Sequence, residues 1–125
     1  MLSDTKEIKI LIVEDDRISF EYLKEILKEE GAKILLAKTG IEAVLICNED
    51  PDIDLVFMDI KMPEMDGREA TKRIKVFRPK LPIIAQTAYA LDDERETILK
   101  DGFDDYLSKP IQRNEMQVIL NKYLH

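Results

Sequence analysis

At 125 residues the chain has the length of one compact domain, able to bury roughly 65–70% of the surface its unfolded form exposes. Hydrophobic residues make up 45% and charged residues 36%, and 19 basic against 26 acidic side chains leave a net charge of −7. That balance argues against a nucleic-acid or anionic-membrane surface, which needs surplus Lys and Arg, and no apolar run is long enough to span a bilayer.

The opening "MLSDTKEIKI" has no apolar core before its charges, so it does not read as a signal peptide and a cytoplasmic protein is expected. "IKILIV" (Ile8 to Val13) reads as a buried strand, followed by a helix with Ile18, Tyr22, Leu23, Ile26 and Leu27 on one face and Gly31 as its stop. "KILLA" (Lys33 to Ala37) is a second strand. Ile41 to Asn48 is a second helix that ends before Pro51, with the single cysteine, Cys47, expected in the core. "LVFM" from Leu55 is a third strand running into Asp59, and Arg68 to Phe77 a third helix closed by Pro79. Pro82 to Gln86 is a fourth strand. Asp92 to Lys100 is a helix capped by Asp92 or Asp93 and ended by Gly102. "DYLS" from Asp105 is a short fifth strand. Gln112 to Leu124 is the last helix, with Met116, Ile119, Leu120, Tyr123 and Leu124 at helical spacing.

Strands that alternate with helices, and that read as near-continuous apolar runs, predict an α/β fold: a parallel sheet covered on both faces, in one domain over residues 1–125. In such sheets ligands bind beyond the carboxyl ends of the strands. Those ends carry chemistry here. Strand one is followed by Glu14, Asp15 and Asp16, strand three by Asp59, strand four by Thr87 and Ala88, and strand five by Lys109 and Pro110. Singly, each has a plain reading as a cap, a turn residue or a solvated lysine; jointly, four strands placing matched groups on one rim is harder to ascribe to chance. Two carboxylates about 4 Å apart repel by about 4 kcal/mol at an effective dielectric near 20. Clustering Glu14, Asp15 and Asp59 therefore calls for a cation, and Lys109 with a hard divalent ion such as Mg²⁺ would serve. An acidic pocket with a metal and a lysine suits phosphoryl transfer with Asp59 as nucleophile.

The ordered set "LIVEDD", "VFMDIKMPEMDG", "AQTAYA" and "DYLSKP", one at each of these strand ends, resembles the receiver (phospho-acceptor) domain of two-component response regulators over essentially the whole chain. The resemblance implies a flavodoxin-like, doubly wound five-stranded sheet of order 2-1-3-4-5. It implies that Asp59 is phosphorylated and that Glu14, Asp15, Asp59 and the backbone carbonyl of Lys61 hold Mg²⁺, for which Mn²⁺ can substitute. Thr87 would be the switch hydroxyl, with small Ala88 leaving room for the phosphoryl group. Lys109 would be the phosphate-binding lysine, joined to Pro110 by a cis peptide, and Tyr106 the aromatic that follows Thr87 inward. Lys61 and Tyr89 would flank the phosphate, Asp16 caps the first helix, and Ile111 stands where many relatives have Phe.

The only histidine, His125, is the last residue given, so the phosphodonor is expected to be another protein or a small molecule; the partner the resemblance implies is a histidine kinase or a histidine phosphotransfer protein. A homodimer through the face of helix 4, strand 5 and helix 5 is a further possibility; nucleic acid and membrane insertion are not expected. "AQTAYA" and "DDYLSKPI" look like the receivers of hybrid sensor kinases, which leaves a stand-alone protein and a fragment of a longer chain both open. Such a domain is a switch, promoting only its own phosphorylation and dephosphorylation, rather than an enzyme on an outside substrate. Two other classes fit less well. A haloacid-dehalogenase-like phosphatase wants a second aspartate two residues after the first, where this chain has Lys61. A flavodoxin-like FMN protein wants a Ser/Thr/Gly loop where "EDD" would repel phosphate.

Overall fold

The computed structural model describes residues 7–62, 64–88 and 92–124, with the backbone alone at 92–94. Among them, strands β1 (Lys9–Val13), β2 (Lys33–Ala37), β3 (Leu55–Asp59), β4 (Ile83–Thr87) and β5 (Asp105–Ser108) alternate with helices α1 (Arg17–Lys28), α2 (Gly40–Glu49), α3 (Gly67–Phe77), α4 (Asp92–Lys100) and α5 (Arg113–Leu124). The sheet order is β2-β1-β3-β4-β5 and every neighbouring pair is parallel, the flavodoxin-like winding the motifs imply. Strands β3 and β4 are buried at every position, as central strands with both faces covered must be. Alternate side chains of each strand feed two apolar layers. One gathers Leu11, Val13, Val56 and Met58 with Ala43, Cys47, Ala70 and Ile74 of α2 and α3; the other gathers Ile10, Ile12, Leu55 and Phe57 with α1 and α5. Cys47 is buried, as expected for core, and burial pushes its thiol up to about 11.

Local chemistry sets the element ends. Asp16, Thr39 and Asp66 cap α1, α2 and α3, each accepting from the backbone N–H three residues on. Gly31, at φ +81°, supplies the left-handed turn after α1. The expected Asp92 or Asp93 cap of α4, Tyr89 and His125 lie outside the described residues or side chains. Two strands run one residue further than their apolar runs suggest, so Asp59 and Thr87 are the last residues of β3 and β4 rather than the first of a loop. Gly67 is the joint between β3 and α3. Its N–H donates to the Ile60 carbonyl at 2.7 Å, and a Cβ there would overlap the Asp59 carbonyl oxygen and stand 2.9 Å from Ile60 Cα.

One expectation fails. Ile18 and Tyr22 do not face the core with Leu23, Ile26 and Leu27: they are 80% and 49% exposed. The apolar arc of α1 is wider than the strip the sheet covers, and its surplus edge looks out beside the β5–α5 connection. There the Tyr22 hydroxyl donates to the Ile111 carbonyl at 2.6 Å.

Candidate functional site

The carboxyl ends of β1, β3, β4 and β5 meet at one rim, and each delivers one of the groups the sequence singles out. Glu14 follows β1 and is 2% exposed. Its Oε1 accepts from Lys109 Nζ at 2.7 Å, and its Oε2 accepts from the Asp16 N–H at 3.2 Å. Asp59 ends β3, 8% exposed, with Lys109 Nζ 3.5 Å from its Oδ2. Asp15 stands exposed at the mouth. One oxygen from each of Glu14, Asp15 and Asp59 lies within 4.8 Å of the others. At that separation each pair of charges repels by about 3–4 kcal/mol at an effective dielectric near 20, so one ammonium leaves the cluster under-neutralised.

Burial pushes the Glu14 carboxyl up to about 7, Asp59 adding to the rise and the Lys109 hydrogen bond restraining it. For Lys109, burial works against the charge, but the Glu14 and Asp59 carboxylates outweigh it and hold the amine above its ordinary value. Asp16 is spent on α1: its Oδ2 accepts from the Ser19 N–H at 2.9 Å and the Ser19 hydroxyl at 2.8 Å, which also lowers its pKa.

A cavity of about 230 Å³ opens over Asp59, walled by Lys61, Arg68, Thr87, Ala88 and Lys109. Thr87 is buried, and its carbonyl accepts from the Lys109 N–H at 2.8 Å, which ties β4 to the residue that carries the ammonium. The Lys109–Pro110 peptide is cis. Tyr106 is not in this cavity. It lies three residues back on β5, half-buried against the layer of Met58 and Ala85, with the Arg95 guanidinium 5.7 Å from its ring centre. Three carboxylates, an ammonium, a hydroxyl and a void large enough for a tetrahedral group make a place where an anion can be built on a carboxylate.

Two wall residues were not foreseen. Arg68 sits in the first turn of α3, where the helix dipole disfavours a cation; a basic residue so placed is itself a sign of an acidic partner. Gln86 interrupts the apolar run of β4, and its buried Nε2 finds no hydrogen-bond partner among the described residues. Gln86 and Lys109 also border a second, larger opening of about 460 Å³, lined by Ile18, Tyr22, Pro110 and Ile111.

Comparison with known proteins gives this arrangement its relatives. The family model described as "Response regulator receiver domain" matches residues 10–121. Over 120 residues the chain is 35% identical to the sensor histidine kinase GacS of Pseudomonas protegens, covering 92% of this chain and 13% of that protein. It is 36% identical over 115 residues to the transcription factor SKN7 of Candida albicans, covering 92% and 20%. The chain thus spans a small part of the curated relatives it matches. Among solved structures, the receiver domain of the sensor histidine kinase PA1611 of Pseudomonas aeruginosa, with magnesium coordinated in its active site cleft, is 36% identical at a TM-score of 0.86, over 94% of this chain and 98% of that one. The receiver domain of Ssk1, in complex with the Saccharomyces cerevisiae histidine phosphotransfer protein Ypd1, is 31% identical at 0.86, over 94% and 88%. With the family pattern running from β1 into α5 and the backbone following these receivers over 94% of the chain, the chain belongs to the response regulator receiver domain family of two-component signalling.

Proposed function

We propose that Asp59 is the phospho-acceptor of this receiver and that a phosphohistidine on another protein is its donor. The observation that carries this is the position of Asp59: a nearly buried carboxylate at the floor of a cavity, with an ammonium, a buried hydroxyl and two further carboxylates around it. An Asp59 oxygen attacks the phosphorus, the phosphorus–nitrogen bond to the donor imidazole breaks, and the imidazole leaves with the electron pair and takes a proton from solvent. Lys109 pairs with a phosphoryl oxygen, so its bond to Glu14 is loosened. Thr87 donates its hydroxyl to another oxygen, and Tyr106 follows into the space that Thr87 leaves. Water later attacks the acyl phosphate and returns Asp59 to a carboxylate, so the domain times a signal rather than turning over an outside substrate.

Glu14, Asp15, Asp59 and the Lys61 carbonyl would hold Mg²⁺, or Mn²⁺ in its place, an all-oxygen set that fits a hard cation. Bound there, the metal offsets the charge of the carboxylates and of the transferred oxygens. The donor docks on the apolar opening lined by exposed Ile18 and Tyr22, which shares Gln86 and Lys109 with the cavity over Asp59. Histidine kinases and histidine phosphotransfer proteins that face the cytoplasm are the fitting partners; among the described residues no helix is long and apolar enough to cross a membrane. Intact mass after incubation with acetyl phosphate tests the acceptor. A single phosphoryl adduct is expected that needs Mg²⁺ and is lost in Asp59→Asn; an adduct that persists in that variant sinks the assignment.

A further inference from the structure

Arg68 stands between the acceptor cavity and helix α4. It is among the residues that wall the cavity over Asp59, and its Nη1 is engaged by Asp101 Oδ2. Asp101 is the residue that closes α4: its N–H donates to the Thr97 carbonyl at 3.0 Å and the Ile98 carbonyl at 3.2 Å. A carboxylate at a helix carboxyl end opposes the dipole and depends on cations for its place. Asp101 has two, since Lys72 Nζ lies 3.6 Å from its Oδ1. Arg68 can therefore leave Asp101 without stranding it.

We propose that Arg68 is a positioning residue for the phosphoryl group: when Asp59 is phosphorylated, the guanidinium exchanges Asp101 for a phosphoryl oxygen. The proposal rests on Asp59 as acceptor. A planar guanidinium suits a tetrahedral dianion at least as well as a carboxylate, and the phosphoryl group adds negative charge to a cavity whose wall also carries Lys61 and Lys109, the latter shared with Glu14. The exchange has a mechanical side. Losing Arg68 leaves the carboxylate at the end of α4 with Lys72 alone, so the last turn of α4 loosens as the phosphate arrives. This is a route from Asp59 to α4 through α3, separate from Thr87 and Tyr106.

The test is a thermodynamic cycle with beryllofluoride, a phosphoryl mimic, titrated with Mg²⁺ into wild type, Arg68→Gln, Asp101→Asn and the double variant. A charge-assisted hydrogen bond lost from the bound state weakens Arg68→Gln about tenfold. Removing the competing carboxylate tightens Asp101→Asn about threefold or more, and in the double variant that tightening disappears. Nitrogen-15 spectra add a reading that a structural role would not move: the Arg68 Nε–H resonance shifts when beryllofluoride is added, toward its position in Asp101→Asn. Equal affinities in all four proteins, tightening that survives without Arg68, or a stationary Arg68 resonance would each overturn the exchange. A wild type that takes no phosphoryl adduct at Asp59 would instead remove the acceptor reading beneath it, and mass spectrometry reads that separately.

Discussion

Glu14 is the most deeply buried carboxylate of the cluster, held against Lys109 at 2.7 Å. Its carboxyl is pushed from 4.5 up to about 7 in the folded chain, so between those values the folded form holds a proton that the unfolded form has released. The resulting stability is fully present below about pH 4.5 and is lost as pH rises through about 7, a change of up to a few kcal/mol in the metal-free protein. Glu14→Gln cannot titrate, so its melting temperature relative to wild type should climb between those limits and then level off. A difference that stays flat with pH would place the titration elsewhere. The same proton competes with Mg²⁺: affinity should fall as pH drops below about 7, with proton release seen as a buffer-dependent calorimetric heat. At this scale the sequence was generous. Glu14 and Asp59 stand out because each follows an apolar run directly, where a charged group is conspicuous, and Asp15, Thr87 and Lys109 because they lie at the same strand ends. Arg68 was not conspicuous, since it lies in a helix full of charges and its partner Asp101 is 33 residues away.

At the scale of elements, periodicity located the strands and helices but not how far each helix face is covered. Ile18 and Tyr22 share an apolar arc with Leu23, and nothing in the chain says that the sheet ends before that arc does. The structure turns this misreading into a prediction. Ile18→Asp should leave labelling by acetyl phosphate unchanged while slowing transfer from a phosphohistidine protein tenfold or more; equal loss with both donors would mean a damaged fold instead. The joints between elements were legible only as turn residues. Gly31 and Gly67 look alike in sequence, yet one is needed for its backbone angle and the other for its lack of a side chain. Gly31→Ala meets no atom within 4 Å and costs only the left-handed strain, about 1–2 kcal/mol. Gly67→Ala drives a methyl into the backbone of Asp59 and Ile60, so it should cost more, about 3 kcal/mol, and also slow phosphorylation. Urea midpoints of the two variants compare them directly.

For the whole molecule, sheet order came from the motifs and not from periodicity, which could not have distinguished one parallel winding from another. The winding puts β2 and β5 at the edges. On the β5 side, Val118 is 63% exposed amid Arg95, Glu115 and Lys122, a surface of mixed charge around an apolar point. Sedimentation at rising concentration should show self-association strengthened by beryllofluoride and removed by Val118→Asp; a monomer throughout would confine signalling to other partners. The contact between Lys109 and Glu14 joins residues 95 positions apart. Contacts of such separation form late, after most of the chain has lost its freedom. A chain still emerging from the ribosome, or one whose edge strand β5 has come loose, keeps its aspartate but lacks the amine that completes the pocket. Completion of the pocket is thereby tied to completion of the sheet, because the cation arrives only with the strand that closes its far edge.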